Sequence, residues 1–116
     1  MIYQGGCHCG KISFEVEGEF DSVMECNCSI CSQKGSLLWF VERSKLKLLT
    51  PEDTLSTYTF NTHNIKHRFC SHCGCGPFAE AIHPATQKPT AAINVRSLRN
   101  IDLTAIKRQP FDGKSL

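Results

Sequence analysis

Three thiols fall within six residues, Cys26-Asn27-Cys28-Ser29-Ile30-Cys31. They meet at one point only if the backbone curls around it, and a soft divalent cation is the usual reason for such a curl. Three thiolates leave a tetrahedral zinc one ligand short, the composition of a site with an open position. Two further groups lie far to either side: Cys7-His8-Cys9, and Cys70-Ser71-His72-Cys73 with Cys75. A pair from each supplies four ligands, enough to close a separate site. The cysteines thus outline one closed metal site that would hold the fold and one open site able to do chemistry.

The remaining composition narrows the setting. A chain of 116 residues is expected to be one domain with a modest core, which metal cross-links would help. Eight cysteines exceed ordinary usage. A disulfide reading needs an oxidising compartment, yet Met1-Ile2-Tyr3-Gln4 shows neither a basic nor an apolar leader region, so the expected location is the cytoplasm. There, Cys-x-Cys and Cys-x-x-Cys spacings read as metal knuckles. The longest apolar run, Leu37-Leu38-Trp39-Phe40-Val41, is too short to cross a bilayer. A net charge of +2 is too weak to make nucleic acid an obligate partner.

The elements that must position these thiols read as short strands. Residues 11–17 alternate, with Ile12, Phe14 and Val16 facing inward; Gly5, Gly6 and Gly10 would let the backbone fold Cys7 and Cys9 toward one metal. Residues 20–25 form a second strand delivering Cys26 to a three-cysteine loop expected to be irregular. Residues 37–41 form a central strand, with Trp39 and Phe40 both expected in the core. Residues 45–49 alternate again, and Thr50-Pro51-Glu52-Asp53 suits a turn. Residues 54–61 and 65–69 make a hairpin running into Cys70. Residues 78–82 and 90–95 follow, the latter as the last strand, then one helical turn near 102–106 and a polar tail. The expected architecture is mainly β.

Three ordered motifs carry a family resemblance: Gly5-Gly6-Cys7-His8-Cys9-Gly10, then Cys26-Asn27-Cys28-Ser29-Ile30-Cys31 with Gly35-Ser36, then Arg68-Phe69-Cys70-Ser71-His72-Cys73-Gly74. With Asn94-Val95-Arg96, Ile101-Asp102-Leu103 and Phe111-Asp112-Gly113-Lys114-Ser115, the chain resembles the glutathione-dependent formaldehyde-activating enzymes over residues 5–115. That resemblance implies a tent-like fold of small antiparallel sheets joined by zinc knuckles, also found in centromere protein V. It implies a structural zinc on Cys7, Cys9, Cys70 and Cys73, and a second, catalytic zinc on Cys26, Cys28 and Cys31. The implied activity is that of a carbon–sulfur lyase condensing glutathione with formaldehyde to S-(hydroxymethyl)glutathione.

A zinc with three thiolates is a weak Lewis acid, so its soft open position suits an incoming thiol, whose pKa falls on the metal. The expected partners are therefore a glutathione-like thiol and a small aldehyde. No general acid is specified: His8, His63, His67, His72 and His83 all read as surface or loop histidines. Lys34, Arg68 and Arg96 are candidates for glutathione carboxylates. Cys75, two residues past the second knuckle, reads as a free thiol, with the alternative that it closes the second metal site. A non-catalytic zinc-binding module and a thiol redox switch are the competing functions.

Overall fold

The computed structural model describes residues 1–115. In chain order its strands are β1 (Ile2–Gly6), β2 (Ser13–Glu17), β3 (Ser22–Cys26), β4 (Leu38–Glu42), β5 (Leu46–Leu48), β6 (Leu55–Tyr58), β7 (Lys66–Cys70), β8 (Phe78–Ile82), β9 (Pro89–Asn94) and β10 (Lys107–Phe111), with the helix α1 (Ser29–Lys34) between β3 and β4. They form a three-stranded sheet, β1-β2-β5, and a seven-stranded sheet, β10-β3-β4-β9-β8-β7-β6. Neighbouring strands are antiparallel except for β10 and β3, which run parallel with Phe111 opposite Cys26. The mainly β architecture is the one the sequence predicts.

Alternation decides which side of each sheet is buried. On β2, Phe14 and Val16 are fully buried, as is Ile12 before them, and Leu46 of β5 joins them. On the larger sheet Trp39, Ile93 and Phe78 stand side by side on β4, β9 and β8 and face the same core. The Phe14 and Phe78 rings meet edge to face across the sheets at 6.0 Å; such a pair adds about 0.5–1.5 kcal/mol to simple burial. Gly5 is required here by space rather than by backbone freedom, because a Cβ would lie 2.5 Å from Phe14 Cζ.

One register step away, Phe40, Ala92, Ala79 and His67 form a row across β4, β9, β8 and β7 on the opposite side of the sheet. This side is not covered by the small sheet, so Phe40 is 49% exposed while Trp39 is buried. The expectation that both rings lie in the core is corrected for Phe40.

Glu80 ties the two sheets together. Its carboxylate accepts from Arg43 Nε and, at 3.0 Å, from Arg68 Nη1, while Arg43 Nη1 donates to the Leu46 carbonyl of β5 at 2.6 Å. Removing a buried carboxylate strands the cations it neutralised, at about 3–5 kcal/mol when fully buried. Because these side chains keep some exposure, Glu80→Ala is expected to cost about 2 kcal/mol. The check is a lower urea midpoint at unchanged slope.

Three elements depart from the sequence reading. The opening residues form β1, which pairs with all of β2. The three-cysteine segment contains a helix in place of an irregular loop. The supposed polar tail supplies β10, so residues 90–95 are not the last strand.

Candidate metal centres and the adjoining cleft

The two sheets converge at a group of four thiols. Cys7 follows β1 and Cys9 lies in the next turn, while Cys70 ends β7 and Cys73 lies in the turn beyond it. The four sulfurs all lie within 4.8 Å of one another, with Cys9 Sγ 3.5 Å from Cys7 Sγ and 3.6 Å from Cys70 Sγ. Sulfurs bound tetrahedrally at about 2.3 Å from zinc sit about 3.8 Å apart. Backbone N–H groups of Ile12, His72 and Cys73 point at the sulfurs of Cys7 and Cys70. The backbone N–H groups of Cys75 and Cys9 lower the Cys73 pKa to about 5. Four thiolates this close repel one another unless a cation sits among them, so the donor set fits a soft divalent metal ion. Cys75 belongs to neither thiol group; it is exposed, and its carbonyl accepts from the Cys70 N–H at 2.9 Å.

The second group is Cys26, Cys28 and Cys31, whose sulfurs also lie within 4.8 Å of one another. Among the described residues no fourth cysteine, histidine or carboxylate completes it. Cys26 closes β3, Cys28 occupies the N-cap of α1, and Cys31 sits one turn inside the helix. The helix is short, and it ends at Gly35, whose left-handed conformation (φ 69°) returns its N–H to the Cys31 carbonyl. Burial, followed by the neighbouring Cys28 and Cys26, pushes the Cys31 thiol up to about 12. Burial also opposes ionisation of Cys28, but the Cys31 backbone N–H and the adjacent thiols outweigh it and lower its pKa. The thiols therefore share protons unevenly, and a soft divalent cation would hold all three as thiolates.

The chain end straps this group from above. Asn27 donates to Asp112 Oδ1 at 2.9 Å and accepts from the Lys114 N–H at 2.9 Å, and its own N–H donates to the Phe111 carbonyl at 3.1 Å. Hydrogen bonds from Ser115 and Asn27 hold the Asp112 carboxyl below its usual range. The strap lies so close that a Cβ on Gly113 would stand 2.6 Å from Cys26 Sγ. Gly113→Val is therefore expected to speed metal release from the three-thiol group about tenfold, read by chelator competition, in the range seen when the support of a metal ligand is disturbed.

Two hollows adjoin the thiols. One is a cleft of about 240 Å³ on the uncovered side of the large sheet, reached by Cys26, Cys28 and Cys31 and walled mainly by Leu38, Phe40, Phe60, Ile65 and Phe111. Alanines at 79, 81 and 92 leave its floor hollow. The other, about 500 Å³, shares Cys26, Cys31 and Phe111 but is lined by polar groups such as Glu25, Asn27, Ser32 and Asp112.

The charged candidates separate accordingly. Lys34, on the last turn of α1, lines the apolar cleft. Arg68 is engaged by Glu80 and Glu52, and Arg96 Nε donates to the Gly35 carbonyl at 3.0 Å. His63 and His83 are exposed and held in local turns, and His8 and His72 are exposed in the knuckles. His67 departs from the expected surface histidine: it lines the cleft, stacks on Phe60 at 5.6 Å, and has a buried Nε2 without a hydrogen-bond partner. Its position on a strand entering Cys70 was visible in sequence, but its facing was not.

No helix of the described residues is long and apolar enough to cross a membrane. The fold is similar to that of a Rhodobacter sphaeroides protein whose crystal structure is known, at a TM-score of 0.78 and 26% identity, covering 91% of this chain and 99% of that one. The family model described as glutathione-dependent formaldehyde-activating enzyme matches residues 2–109. Two thiol groups with metal-site geometry, at the positions of the motifs that carried the resemblance, agree with that match, and the chain belongs to the glutathione-dependent formaldehyde-activating enzyme family.

Proposed function

We propose that this protein is a zinc-dependent carbon–sulfur lyase that adds the thiol of glutathione to formaldehyde or another small aldehyde. The observation that carries the reading is the convergence of Cys26, Cys28 and Cys31, three donors without a fourth among the described residues, where an apolar cleft and a more polar hollow share Cys26 and Cys31. Cys7, Cys9, Cys70 and Cys73 hold a structural zinc in this reading, and Cys26, Cys28 and Cys31 the second. A zinc bound at the second group supplies a soft, open position that makes an incoming thiol acidic.

The chain's own groups do the rest. The backbone N–H of Cys28, 3.4 Å from Cys26 Sγ, and the strap through Asn27 keep the three sulfurs converged. The polar hollow, with Asn27 and Ser32 on its wall, suits the amide-rich tripeptide, whose peptide groups need partners on leaving water. The cleft holds the aldehyde, and proximity of the two reactants supplies the acceleration.

The test is exchange spectroscopy by NMR with glutathione and carbon-13 formaldehyde on zinc-loaded protein. Adduct formation at least tenfold faster than in buffer is expected. No acceleration at two zinc equivalents per chain overturns the proposal.

A further inference from the structure

The apolar cleft is far larger than formaldehyde needs. A single water occupies about 10–15 Å³ of such space, against about 240 Å³ here, and formaldehyde has only two heavy atoms. The cleft's walls are mostly apolar and suit a molecule with an apolar body. Glutathione does not suit them either, since its peptide groups would lose their hydrogen bonds against Leu38, Phe40 and Phe60.

Polar side chains also line the cleft, among them Lys34, His67 and Glu80, the last already neutralised by Arg43 and Arg68. His67 lines the cleft; its Nε2 is buried in the protein without a partner, so the nitrogen free to meet a ligand is Nδ1. Burial and the nearby positive charge of Lys34 lower the His67 pKa, so the ring is neutral and can donate from one nitrogen. Lys34 Nζ lies 2.8 Å from where a Gly76 Cβ would be, and among the described residues it makes no ion pair within 4.0 Å. An ammonium and an imidazole N–H on the wall of one apolar cleft suit a carboxylate. Lys34 follows Cys31 by three residues on α1, a rise of about 4.5 Å, and its flexible four-carbon stem adds about 6 Å; a reach of up to about 10 Å from the thiols suits a ligand chain of about six to ten carbons.

We propose that the cleft receives an aldehyde whose apolar chain ends in a carboxylate, an ω-oxo acid, with its carbonyl carbon beside Cys26, Cys28 and Cys31 and its carboxylate on Lys34 and His67. The inference rests on the thiol-addition reading above and assigns its substrate class. In the reaction, the glutathione sulfur forms a bond to the carbonyl carbon as the C=O π bond opens. The thiol proton ends on the new hydroxyl, so no oxidant or reductant is needed. His67 and Lys34 act by positioning the far end of the substrate.

The test separates binding from chemistry. Calorimetry on zinc-loaded protein uses two unreactive eight-carbon amides, octanamide and 8-amino-8-oxooctanoate. The acid-ended amide is expected to bind at least fivefold more tightly. His67→Phe, which keeps a ring against Phe60, and Lys34→Met are each expected to erase that difference while leaving the circular dichroism spectrum unchanged. Equal binding of the two amides, binding of neither, or a difference that survives both substitutions overturns the inference.

Turnover of 8-oxooctanoate with glutathione is expected to exceed that of formaldehyde at least tenfold in kcat/KM. If formaldehyde reacts while the acid-ended amide does not bind, the cleft assignment fails and the thiol-addition reading stands. If the amide binds as expected but no aldehyde adds to glutathione faster than in buffer, the ligand class stands and the reaction assignment fails.

Discussion

Cys70→Ser protein is expected to lose the closed metal site and, with it, the cooperative fold. Cys70 is 1% exposed, and its sulfur accepts from two backbone N–H groups while standing 3.6 Å from Cys9 Sγ, 61 residues away in sequence. The group joins the segment after β1, in the small sheet, to the end of β7, in the large one. Structural zinc in small domains contributes about 10–16 kcal/mol of apparent binding energy, as large as the entire net stability of about 5–15 kcal/mol of an ordinary domain. A hydroxyl offers a soft ion much less than a thiolate, and in the buried site it would also lack the charge the cation needs. Metal analysis should fall to one equivalent or less, and the thermal transition should lose its cooperativity. A variant unfolding within about 1 kcal/mol of the parent would show that packing alone holds the sheets together.

Cys28→Ser tests the other group, and its outcome should be the reverse. Cys28 is the N-cap of α1 and makes no side-chain capping bond. Serine is among the best residues for that position and Ser→Ala changes there typically cost about 1 kcal/mol, so the hydroxyl gives the helix an acceptor where the thiol gave none. The fold should therefore keep its stability to within about 1 kcal/mol and retain the structural ion. The three-donor set falls to two, so the second ion should be absent after dialysis. Adduct formation should fall by about a hundredfold, at or beyond the upper end of losses seen when only the support of a ligand is removed. Full activity in a protein shown to hold one ion would remove the second metal from the mechanism. On the proposed function, the pair of variants separates a structural site from a working one.

The two thiol groups were legible because their spacing is local. Cys26, Cys28 and Cys31 fall within six residues, and any compact path between two strands gathers them. The four-thiol group needed only that both knuckles sit at strand ends, and the family motifs named its members. The inward side of β2 was equally plain, since Ile12, Phe14 and Val16 alternate with polar neighbours and all three are fully buried.

The departures involve elements whose partners lie elsewhere in the chain. Ile2-Tyr3-Gln4-Gly5-Gly6 has little apolar patterning and becomes a strand because β2 pairs with it along its length. Six residues of α1 are too few to display a helical period, and an isolated helix of that length is not stable in water; its flanking anchors and Gly35 make it one. Lys107-Arg108-Gln109-Pro110-Phe111 contains a proline, which only an edge strand accommodates easily, and β10 is such an edge, paired with β3 from the other end of the chain.

What the sequence determined by itself was therefore the donor set and the alternation of its strands, because ligand spacing and side-chain facing are properties of a few consecutive residues. Which side of the large sheet stays uncovered was decided by tertiary structure alone. Trp39 and Phe40 are equally apolar neighbours, yet one is packed beneath the small sheet and the other walls the cleft with His67, because burial depends on what layer arrives from elsewhere in the chain.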